Sequence, residues 1–392
     1  MGSILRAGRT LAWTVLMSLL LGGSLAAPAS VSPGTAPDTS VRAGAVQAGP
    51  EAGPVQAGPV RPGRIHGGAG GRGLIPPGPG TAAPAGVPEP AWREIVGLLD
   101  TRRAAGLPVA KPAGDPVCNA SGCSQQLGAQ TVLWSAETGA HLIRTAVHAV
   151  WNTPQSKYLG FPVSSEYPYS GVFRTDFQHG SLIYVPATGR VMNVVPGVDE
   201  SALVIGDSQT APNSWVGQGL AQAGYRTILR GAGGTGYVRG NGSTGAYAPA
   251  LETHQWLLPW GTPSLIILQG GGNDTAHSPA EIRSGAQRLL ADVRLSYPTA
   301  RIIMVGVIGD GGGPRKDVDR VLAATAAEAG VAFLSPGDWW TRYGLNGDLR
   351  PDGRHLSEAG HARVAGVFAQ ELTRMAPAGP TLSPDHPLHA LP

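Results

Sequence analysis

Residues 203–210 read LVIGDSQT, a short apolar run that ends in a glycine, an aspartate and a serine. Because residues 202–205 are apolar without interruption, they have the pattern of a strand buried on both faces of a parallel sheet. Functional groups in such sheets gather at the carboxyl ends of the strands. Ser208 is therefore expected at that edge, with its hydroxyl exposed to a bound molecule.

Short apolar strands and helices alternate through the chain after residue 200. Further strands are predicted at 227–229, 264–268, 301–307 and 331–334, and helices near 215–223, from 279, near 317–329 and from 357. Ser278, Pro279 and Glu281 carry the capping-box signature of a helix start. The alternation predicts a parallel sheet covered by helices on both faces, over residues 198–376.

Polar or glycine-rich segments follow the predicted strands, and a further one precedes the last helix. The four segments are Gly206-Asp207-Ser208, GAGGTGY at 231–237, Gly271-Gly272-Asn273-Asp274 and DGRHLSEAGH at 352–361. In this order they resemble the sequence blocks of the SGNH hydrolases, the GDSL-type esterase and lipase superfamily. The resemblance implies a three-layer α/β/α, flavodoxin-like domain with serine esterase activity and without a metal or organic cofactor.

Three residues of these blocks are implied to form a catalytic triad. Ser208 is the nucleophile, and a serine hydroxyl attacks only weakly unless a base takes its proton. His355 can act as that base near neutral pH, and Asp352 can fix the tautomer and orientation of His355. Gln209 and Thr210 depart from the family's pattern, which often has an apolar residue here. They are expected to alter the surroundings of the nucleophile without changing the chemistry.

Donors for the oxyanion that forms on attack must already be in place. The resemblance assigns this role to the backbone N–H groups of Ser208 and Gly236 and to the side-chain amide of Asn273. Glycine at position 236 lets the backbone approach a substrate without a Cβ in the way. Gly233 and Gly234 are alternative donors, because the glycine-rich segment allows more than one register.

Other polar residues of these blocks are interpreted as structural. Asp207 and Asp274 are expected to accept hydrogen bonds from the amides of their turns. Ser357 is expected to be the N-cap of the last helix. His361 lies one turn into that helix and is interpreted as a packing or surface residue.

Two further features near the blocks stay open. Residues 238–250 are rich in Gly, Ser, Thr and Tyr and look like an excursion that lines or covers the pocket. Four tryptophans either stack on sugar rings at the site or belong to the core: Trp256, Trp260, Trp339 and Trp340.

The N-terminus has the three-part plan of a secretory signal. Arg6 and Arg9 precede an apolar run over residues 11–21, and small residues follow it. We expect residues 1–27 to be a signal peptide, which makes the mature protein secreted and leaves it without a membrane span. The alternative is an uncleaved membrane anchor, but the run is short against the roughly 20 residues of a bilayer span.

Composition separates residues 28–90 from the rest of the chain. Of 392 residues, 58 are Gly and 35 are Pro, and both types are concentrated in this segment. It cannot bury enough apolar surface to offset the entropy of ordering, so we predict a disordered, extended linker here and a disordered tail over 377–392. A net charge of +3 without a basic patch argues against a nucleic-acid partner.

The chain contains two cysteines, Cys118 and Cys123. In the oxidising compartment that export implies, they are expected to form one small disulfide loop. Two thiols without a nearby pair of histidines do not make a metal site. We interpret residues 91–124 as a short amphipathic helix over 91–106 followed by this disulfide loop.

Residues 125–197 contain an internal echo. LWSAETGAHLI at 133–143 and IYVPATGRVMN at 183–193 each place Thr-Gly after an aromatic residue, and the first of them has no recognisable front half. Leu159-Gly160-Phe161-Pro162 lies between them. These strings resemble LGFP repeats, modules of exported proteins in bacteria with mycolate-type cell walls, and imply binding to cell-wall polysaccharide. The aromatic residues form either a sugar-stacking platform or the core of a small domain.

Together these features predict a secreted, cell-wall-associated serine esterase. It would remove an acyl group from a cell-envelope glycan or glycolipid through an acyl-enzyme on Ser208, with the repeats bringing the catalytic edge to the polymer. Two alternatives stay open. A sugar hydroxyl in place of water would make the enzyme an acyltransferase, and a silent hydrolase domain would make the chain a non-catalytic wall-binding protein.

Overall fold

The computed structural model of the protein describes residues 82–211 and 213–375. The predicted signal peptide, most of the predicted linker and the predicted tail over 377–392 lie outside these residues. Within the described ranges, no helix is long and apolar enough to cross a membrane. The same ranges contain no cluster of His, Cys, Asp and Glu side chains that could hold a metal ion.

A helix and a four-stranded antiparallel sheet come first. The helix α1 (Glu89–Ala104) begins two residues before the predicted segment 91–106. The sheet consists of β1 (Val117–Asn119), β2 (Gly122–Leu127), β3 (Gln130–Ser135) and β4 (Gly139–Arg144), in that order. Ile95 and Leu99, one turn apart on α1, pack against Val132 of the sheet.

The predicted disulfide between Cys118 and Cys123 is confirmed. The two cysteines are directly opposite each other in the β1–β2 pair. The predicted boundary between residues 124 and 125 falls inside β2, whose residues pair with β3 from Cys123 to Leu127. The disulfide hairpin is therefore the front half of this sheet and not a separate segment, which the sequence pattern did not reveal.

A second four-stranded sheet repeats the first. After α2 (Thr145–Trp151) come β5 (Tyr167–Tyr169), β6 (Val172–Phe177), β7 (Gly180–Val185) and β8 (Arg190–Asn193). Both sheets have the same antiparallel order, and the first three strands of each begin 50 residues apart. The internal echo is thus confirmed as a structural repeat. One core joins the two sheets, with Leu133 and Ile143 from the first and Leu182 and Val191 from the second.

The remaining elements form a separate α/β layer structure. They are β9 (Ser201–Gly206), α3 (Trp215–Gln222), β10 (Arg226–Gly231), α4 (Tyr247–Glu252), β11 (Leu265–Gln269), α5 (Pro279–Ser296), β12 (Ile302–Val305), α6 (Gly313–Glu328), β13 (Ala332–Leu334), α7 (Trp339–Arg342) and α8 (Glu358–Met375). The five strands are parallel in the order β10-β9-β11-β12-β13. The predicted parallel sheet is confirmed, as is the capping box of Ser278 and Glu281 at α5.

Helices cover both faces of the five-stranded sheet, as predicted. Successive side chains of a strand point to opposite faces. In β9, Leu203 and Ile205 belong to the core with α5 and α6, whereas Ala202 and Val204 belong to the core with α3 and α8. All four side chains are fully buried, which is why the run is apolar without alternation.

The second repeat packs directly on this α/β structure. Arg190 of β8 forms a largely buried ion pair with Asp292 of α5. The ring of Tyr169 meets that of Trp260 edge-on, with 5.5 Å between centroids. Trp260 therefore packs in the contact between the second repeat and the α/β structure. The second repeat is therefore held on the α/β structure by packed and paired side chains.

Candidate active site

The three side chains predicted as a triad lie together at the carboxyl edge of the sheet. Ser208 follows β9 directly, and its Oγ lies 2.9 Å from His355 Nε2 across 147 residues of chain. His355 Nδ1 lies 2.7 Å from Asp352 Oδ2. The three groups are thus connected by one continuous line of hydrogen bonds.

A tight turn at the end of β9 exposes Ser208. Asp207 Oδ1 accepts the N–H of Gln209 at 2.8 Å, and Thr210 Oγ1 donates to the Asp207 carbonyl at 2.7 Å. A Cβ on Gly206 would clash with the Thr210 side chain, so the turn requires glycine there. Asp207 itself is buried, and burial raises its pKa to about 6. Its position agrees with the structural role predicted for it.

The loop before α8 holds Asp352 and His355 in place. Asp352 Oδ1 accepts the backbone N–H of His355 at 3.0 Å and of Arg354 at 2.9 Å. These bonds and the imidazole of His355 hold the pKa of Asp352 well below its usual range. Ser357 Oγ accepts the N–H of Gly360 at 3.2 Å, as expected of an N-cap. Because its pKa is lowered, the Asp352 carboxylate stays ionised through the neutral pH range.

The predicted oxyanion donor Gly236 does not fit this geometry. Its N–H donates to the Arg239 carbonyl at 2.8 Å, and a Cβ on it would clash with the Asp274 carboxylate. Gly233 lies beside the nucleophile instead, because a Cβ on it would be 3.7 Å from Ser208 Cβ. In the described part of the chain, the backbone N–H groups of Gly233 and Ser208 have no hydrogen-bond partner. Gly233, one of the two alternative donors, therefore replaces Gly236 as the backbone donor for the oxyanion.

Asn273 occupies the position expected for the side-chain donor. Its Nδ2 donates one hydrogen to the Thr235 carbonyl at 2.9 Å, and its side chain lines the same cavity as Ser208. The amide has a second hydrogen that can serve a ligand. The neighbouring Asp274 is fully buried and accepts three backbone N–H groups from Tyr237, Val238 and Arg239. Asp274 thereby holds the glycine-rich loop, as the sequence predicted.

Two cavities meet at Ser208 and His355. The larger has a volume of about 490 Å³ and extends to Trp340 and the first turn of α6. The smaller, of about 270 Å³, is lined on its other sides by Ala211, Asn213, Ser214, Arg350 and His361. The nucleophile is thus open to a molecule that extends in both directions.

Several residues near the site escaped the sequence analysis. His361, interpreted as a packing or surface residue, accepts the Trp215 N–H at 3.1 Å through Nδ1 and so caps α3. Of the four ambiguous tryptophans, Trp340 lines the larger cavity while Trp339 is 1% exposed in the core. Arg239, in the predicted excursion over 238–250, also lines that cavity. Trp340 was signalled as one of the four ambiguous tryptophans and Arg239 through the unusual composition of its segment, whereas nothing in the sequence indicated the capping role of His361.

The comparison with protein families covers the α/β structure up to the first part of α8. Residues 201–363 match the profile of the GDSL-like Lipase/Acylhydrolase family. These residues form a GDSL-like hydrolase domain. The enzyme class predicted from the four sequence blocks is therefore confirmed, and the chain has esterase or acylhydrolase activity. The resemblance of the two four-stranded sheets to LGFP repeats stays a prediction.

The solved structures similar to the chain are distant from it in sequence. The native aryl esterase of M. smegmatis is 19% identical, with 45% of this chain and 100% of that chain covered and a TM-score of 0.33. A family two carbohydrate esterase from Cellvibrio japonicus is 18% identical, with 47% and 63% covered and a TM-score of 0.37. A carbohydrate esterase family 2 enzyme with a carbohydrate binding domain from Corynascus thermopiles is 15% identical, with 52% and 75% covered and a TM-score of 0.38. No curated protein matches the sequence.

Proposed function

We propose that the protein hydrolyses O-acyl esters of a cell-envelope glycan or glycolipid through an acyl-enzyme on Ser208. The observation that carries this proposal is the line of hydrogen bonds from Ser208 through His355 to Asp352 at an open edge of the sheet. Hydrogen bonding of Nδ1 to the ionised Asp352 keeps the proton of a neutral imidazole on that nitrogen. Nε2 is then free to accept a proton from Ser208.

The chemistry follows from that arrangement. As Ser208 Oγ forms a bond to the ester carbonyl carbon, His355 Nε2 takes its proton, and Asp352 stabilises the imidazolium. The bond between the carbonyl carbon and the alcohol oxygen then breaks, and His355 returns the proton to the alcohol. Water repeats the same steps on the acyl-serine and releases the acid.

Three donors are available to the oxyanion. They are the unpaired N–H groups of Ser208 and Gly233 and the second hydrogen of the Asn273 amide. The first two are backbone groups held by the turns after β9 and β10, so they need no reorganisation during the reaction. Loss of one such donor typically removes about 3 kcal/mol of transition-state stabilisation.

The repeats offer a surface for the glycan part of the proposal. A cleft of about 440 Å³ lies between the first four-stranded sheet and the segment that connects it to the second sheet. The rings of Trp151 and Phe161, which meet edge-on at 5.3 Å, line this cleft together with Asn119, Asn152 and Lys157. Aromatic faces flanked by amide and ammonium donors suit a sugar ring. Together with the signal sequence, the cleft supports a secreted protein that binds cell-wall polysaccharide.

The first test is hydrolysis of 4-nitrophenyl acetate, butyrate and octanoate by the secreted protein. We expect Ser208-dependent turnover, and Ser208→Ala should reduce kcat by at least about 10⁴-fold. Ser296→Ala on α5, away from both cavities, is the matched control. Absence of turnover on every ester, with the wild type folded, would contradict the proposal. Transfer of the acyl group to an added sugar faster than to water would assign the acyltransferase alternative.

A further inference from the structure

The cavity beside Ser208 contains three arginine side chains. Arg239 comes from the loop after β10, Arg315 from the first turn of α6 and Arg354 from the loop before α8. Three separate segments thus bring guanidinium groups to one cavity. Hydrolysis of a neutral ester does not require them, because the only charge that develops on its carbonyl is met by the oxyanion donors.

Arg315 is held along the wall of this cavity. Its Nη1 donates to the Ile308 carbonyl at 2.9 Å, and its guanidinium lies 5.4 Å from the centre of the Trp340 ring. A Cβ on Gly272 would be 3.8 Å from Nη2, so the guanidinium reaches the residue next to Asn273. Across the described residues, Nε and Nη2 of Arg315 donate to no protein acceptor. One hydrogen bond thus positions the Arg315 side chain, and its Nε and Nη2 atoms remain able to donate to a ligand.

The acidic groups of the cavity do not pair with these arginines. Asp207 uses Oδ1 for the N–H of Gln209, and Asp310 uses Oδ1 for the N–H of Gly312. No ion pair between either aspartate and an arginine occurs in the described residues. Burial lowers the pKa of Arg315; the charge of Asp207 opposes this shift, and the smaller effect of Arg354 adds to it. The carboxylates near Arg315 thus act on it from a distance and leave its guanidinium without a direct ion pair in the described residues.

Two further features of this cavity bear on the polarity of a ligand that could bind in it. Gln269, at the end of β11, is 1% exposed, and its Oε1 has no hydrogen-bond partner among the described residues. An amide oxygen accepts hydrogen bonds, so this group suits a hydroxyl or a water and not the anion itself. The N-terminus of α6, a helix of 16 residues, lines the same cavity through Gly313 and Pro314. Its dipole favours a negative charge there.

We infer that the ester cleaved at Ser208 carries an anionic group, a carboxylate or a phosphate, which binds to Arg315 with Arg354 and Arg239. This inference rests on the proposed esterase function and names the substrate class of that site. Planar guanidinium forks match both anions with two parallel hydrogen bonds. The anion belongs either to the acyl group, as in a half-ester of a dicarboxylic acid, or to the alcohol.

Matched pairs of esters distinguish the two sources of the anion. On the acyl side, 4-nitrophenyl hydrogen succinate is compared with 4-nitrophenyl butyrate. On the alcohol side, the acetate esters of 3-hydroxypropanoate and of 2-hydroxyethyl phosphate are compared with propyl acetate. We expect kcat/KM to favour the charged member of at least one pair by about ten-fold or more, the range typical of a charge-assisted pair of hydrogen bonds.

Substitution of the arginines tests whether they cause the preference for the anionic ester. Arg315→Gln should lower kcat/KM for the preferred anionic ester by about ten-fold or more and change the neutral partner by less than about three-fold. Arg354→Gln removes a second charge at an exposed position, so it repeats the test without altering a packed side chain. Arg320→Gln, on the exposed face of the same helix, is the matched control. No preference in any pair, or an equal loss on charged and neutral esters, would overturn the inference and leave the esterase intact.

Binding provides a readout that does not depend on turnover. Titration calorimetry with Ser208→Ala compares monomethyl succinate with methyl butyrate and 3-acetoxypropanoate with propyl acetate. If no ester is hydrolysed, the proposed function fails, but tighter binding of a charged probe that disappears in Ser208→Ala/Arg315→Gln still supports the anion site. Equal affinity for charged and neutral probes in both pairs overturns it.

Discussion

The cavity beside Ser208 and the cleft next to the first four-stranded sheet have similar volumes, about 490 and 440 Å³, but different chemistry. In the cleft, two hydrogen bonds hold the residues around the Trp151 ring: Trp151 Nε1 donates to the Gly160 carbonyl, and Lys157 Nζ donates to Asn152 Oδ1. Beside the nucleophile, the N–H groups of Ser208 and Gly233 have no hydrogen-bond partner among the described residues. The cavity thus offers backbone donors to a reacting group, whereas the cleft offers aromatic rings held in place by local hydrogen bonds.

Unpaired polar groups lower the stability of the folded protein, and the GDSL-like domain and the repeats offset this loss by different interactions. A polar group left without a partner opposes folding by about 1–3 kcal/mol when buried. The GDSL-like domain offsets this cost with apolar cores on both faces of its sheet. The repeats have smaller cores and add a disulfide and the two-point pairing of Arg144 with Glu166, at 2.9 and 3.2 Å. Among the described residues, buried side-chain atoms without a partner occur in both regions, for example in Thr131 and Thr175 of the repeats and in Gln269 of the GDSL-like domain.

The largest effect is expected from breaking the triad at its far end. Asp352→Asn removes the charge that orients His355, and kcat for a small ester should fall by about 10⁴-fold. Thermal unfolding should change little, because the Asp352 side chain is 46% exposed. Asp338→Asn, also an exposed partner in a side-chain pair, serves as control. A loss of less than about ten-fold would mean that solvent or the loop orients His355 without this charge.

The second-largest effect is expected at Asn273, whose side-chain amide donates only one of its two hydrogens within the protein. Asn273→Ala removes the amide hydrogen assigned to the oxyanion, and kcat should fall by about 10² to 10³-fold with little change in KM. The same substitution also frees the Thr235 carbonyl, so unfolding is measured alongside kinetics. Asn346→Ala, at an exposed position, is the control. An increase in KM with kcat preserved would reassign Asn273 to ground-state binding.

A smaller effect concerns the buried carboxyl beneath the nucleophile. The pKa of Asp207, raised to about 6 by burial, means that the folded protein holds this proton more tightly than the unfolded chain. Its contribution is complete below about pH 4 and is lost as the pH rises through about 6, by about 2–3 kcal/mol in the free energy of unfolding. Asp207→Asn should remove this slope in urea unfolding at pH 4, 5.5 and 7.5. Asp317→Asn, an exposed control, should keep it, and an unchanged slope in both variants would place the titration elsewhere.

The smallest effect is expected in the cleft. Lys157→Ala removes an exposed ammonium that spans Asn152 and the Trp151 ring, at 4.6 Å from its centre. Retention on insoluble cell wall should fall about three- to ten-fold, the worth of one hydrogen bond at an exposed site. The measurement uses the Ser208→Ala background, so that the wall polymer is not altered. Lys111→Ala in the same module is the control, and equal retention of all three proteins would exclude the cleft.

Much of the molecule could be predicted because its signals are local in sequence. The uninterrupted apolar run at 202–205 requires burial on both faces, and Ser278 with Glu281 starts α5 through contacts three residues apart. Asp352 and His355 meet within one loop for the same reason. Strands that alternate with helices leave few topologies, so the parallel sheet follows from the chain order. The meeting of Ser208 with His355, 147 residues apart, was implied by the resemblance of the four sequence blocks.

Tertiary structure alone decided which groups are free. Four glycines in 231–236 look alike in sequence, and only the Arg239 carbonyl and the Asp274 carboxylate show that the N–H of Gly236 is taken and its Cα enclosed. The three arginines come from segments far apart, so no spacing could reveal that they share one cavity. Sequence determines what local contacts require, such as burial, capping and turns. Whether a donor is paired or open depends on neighbours that the folded chain brings from elsewhere.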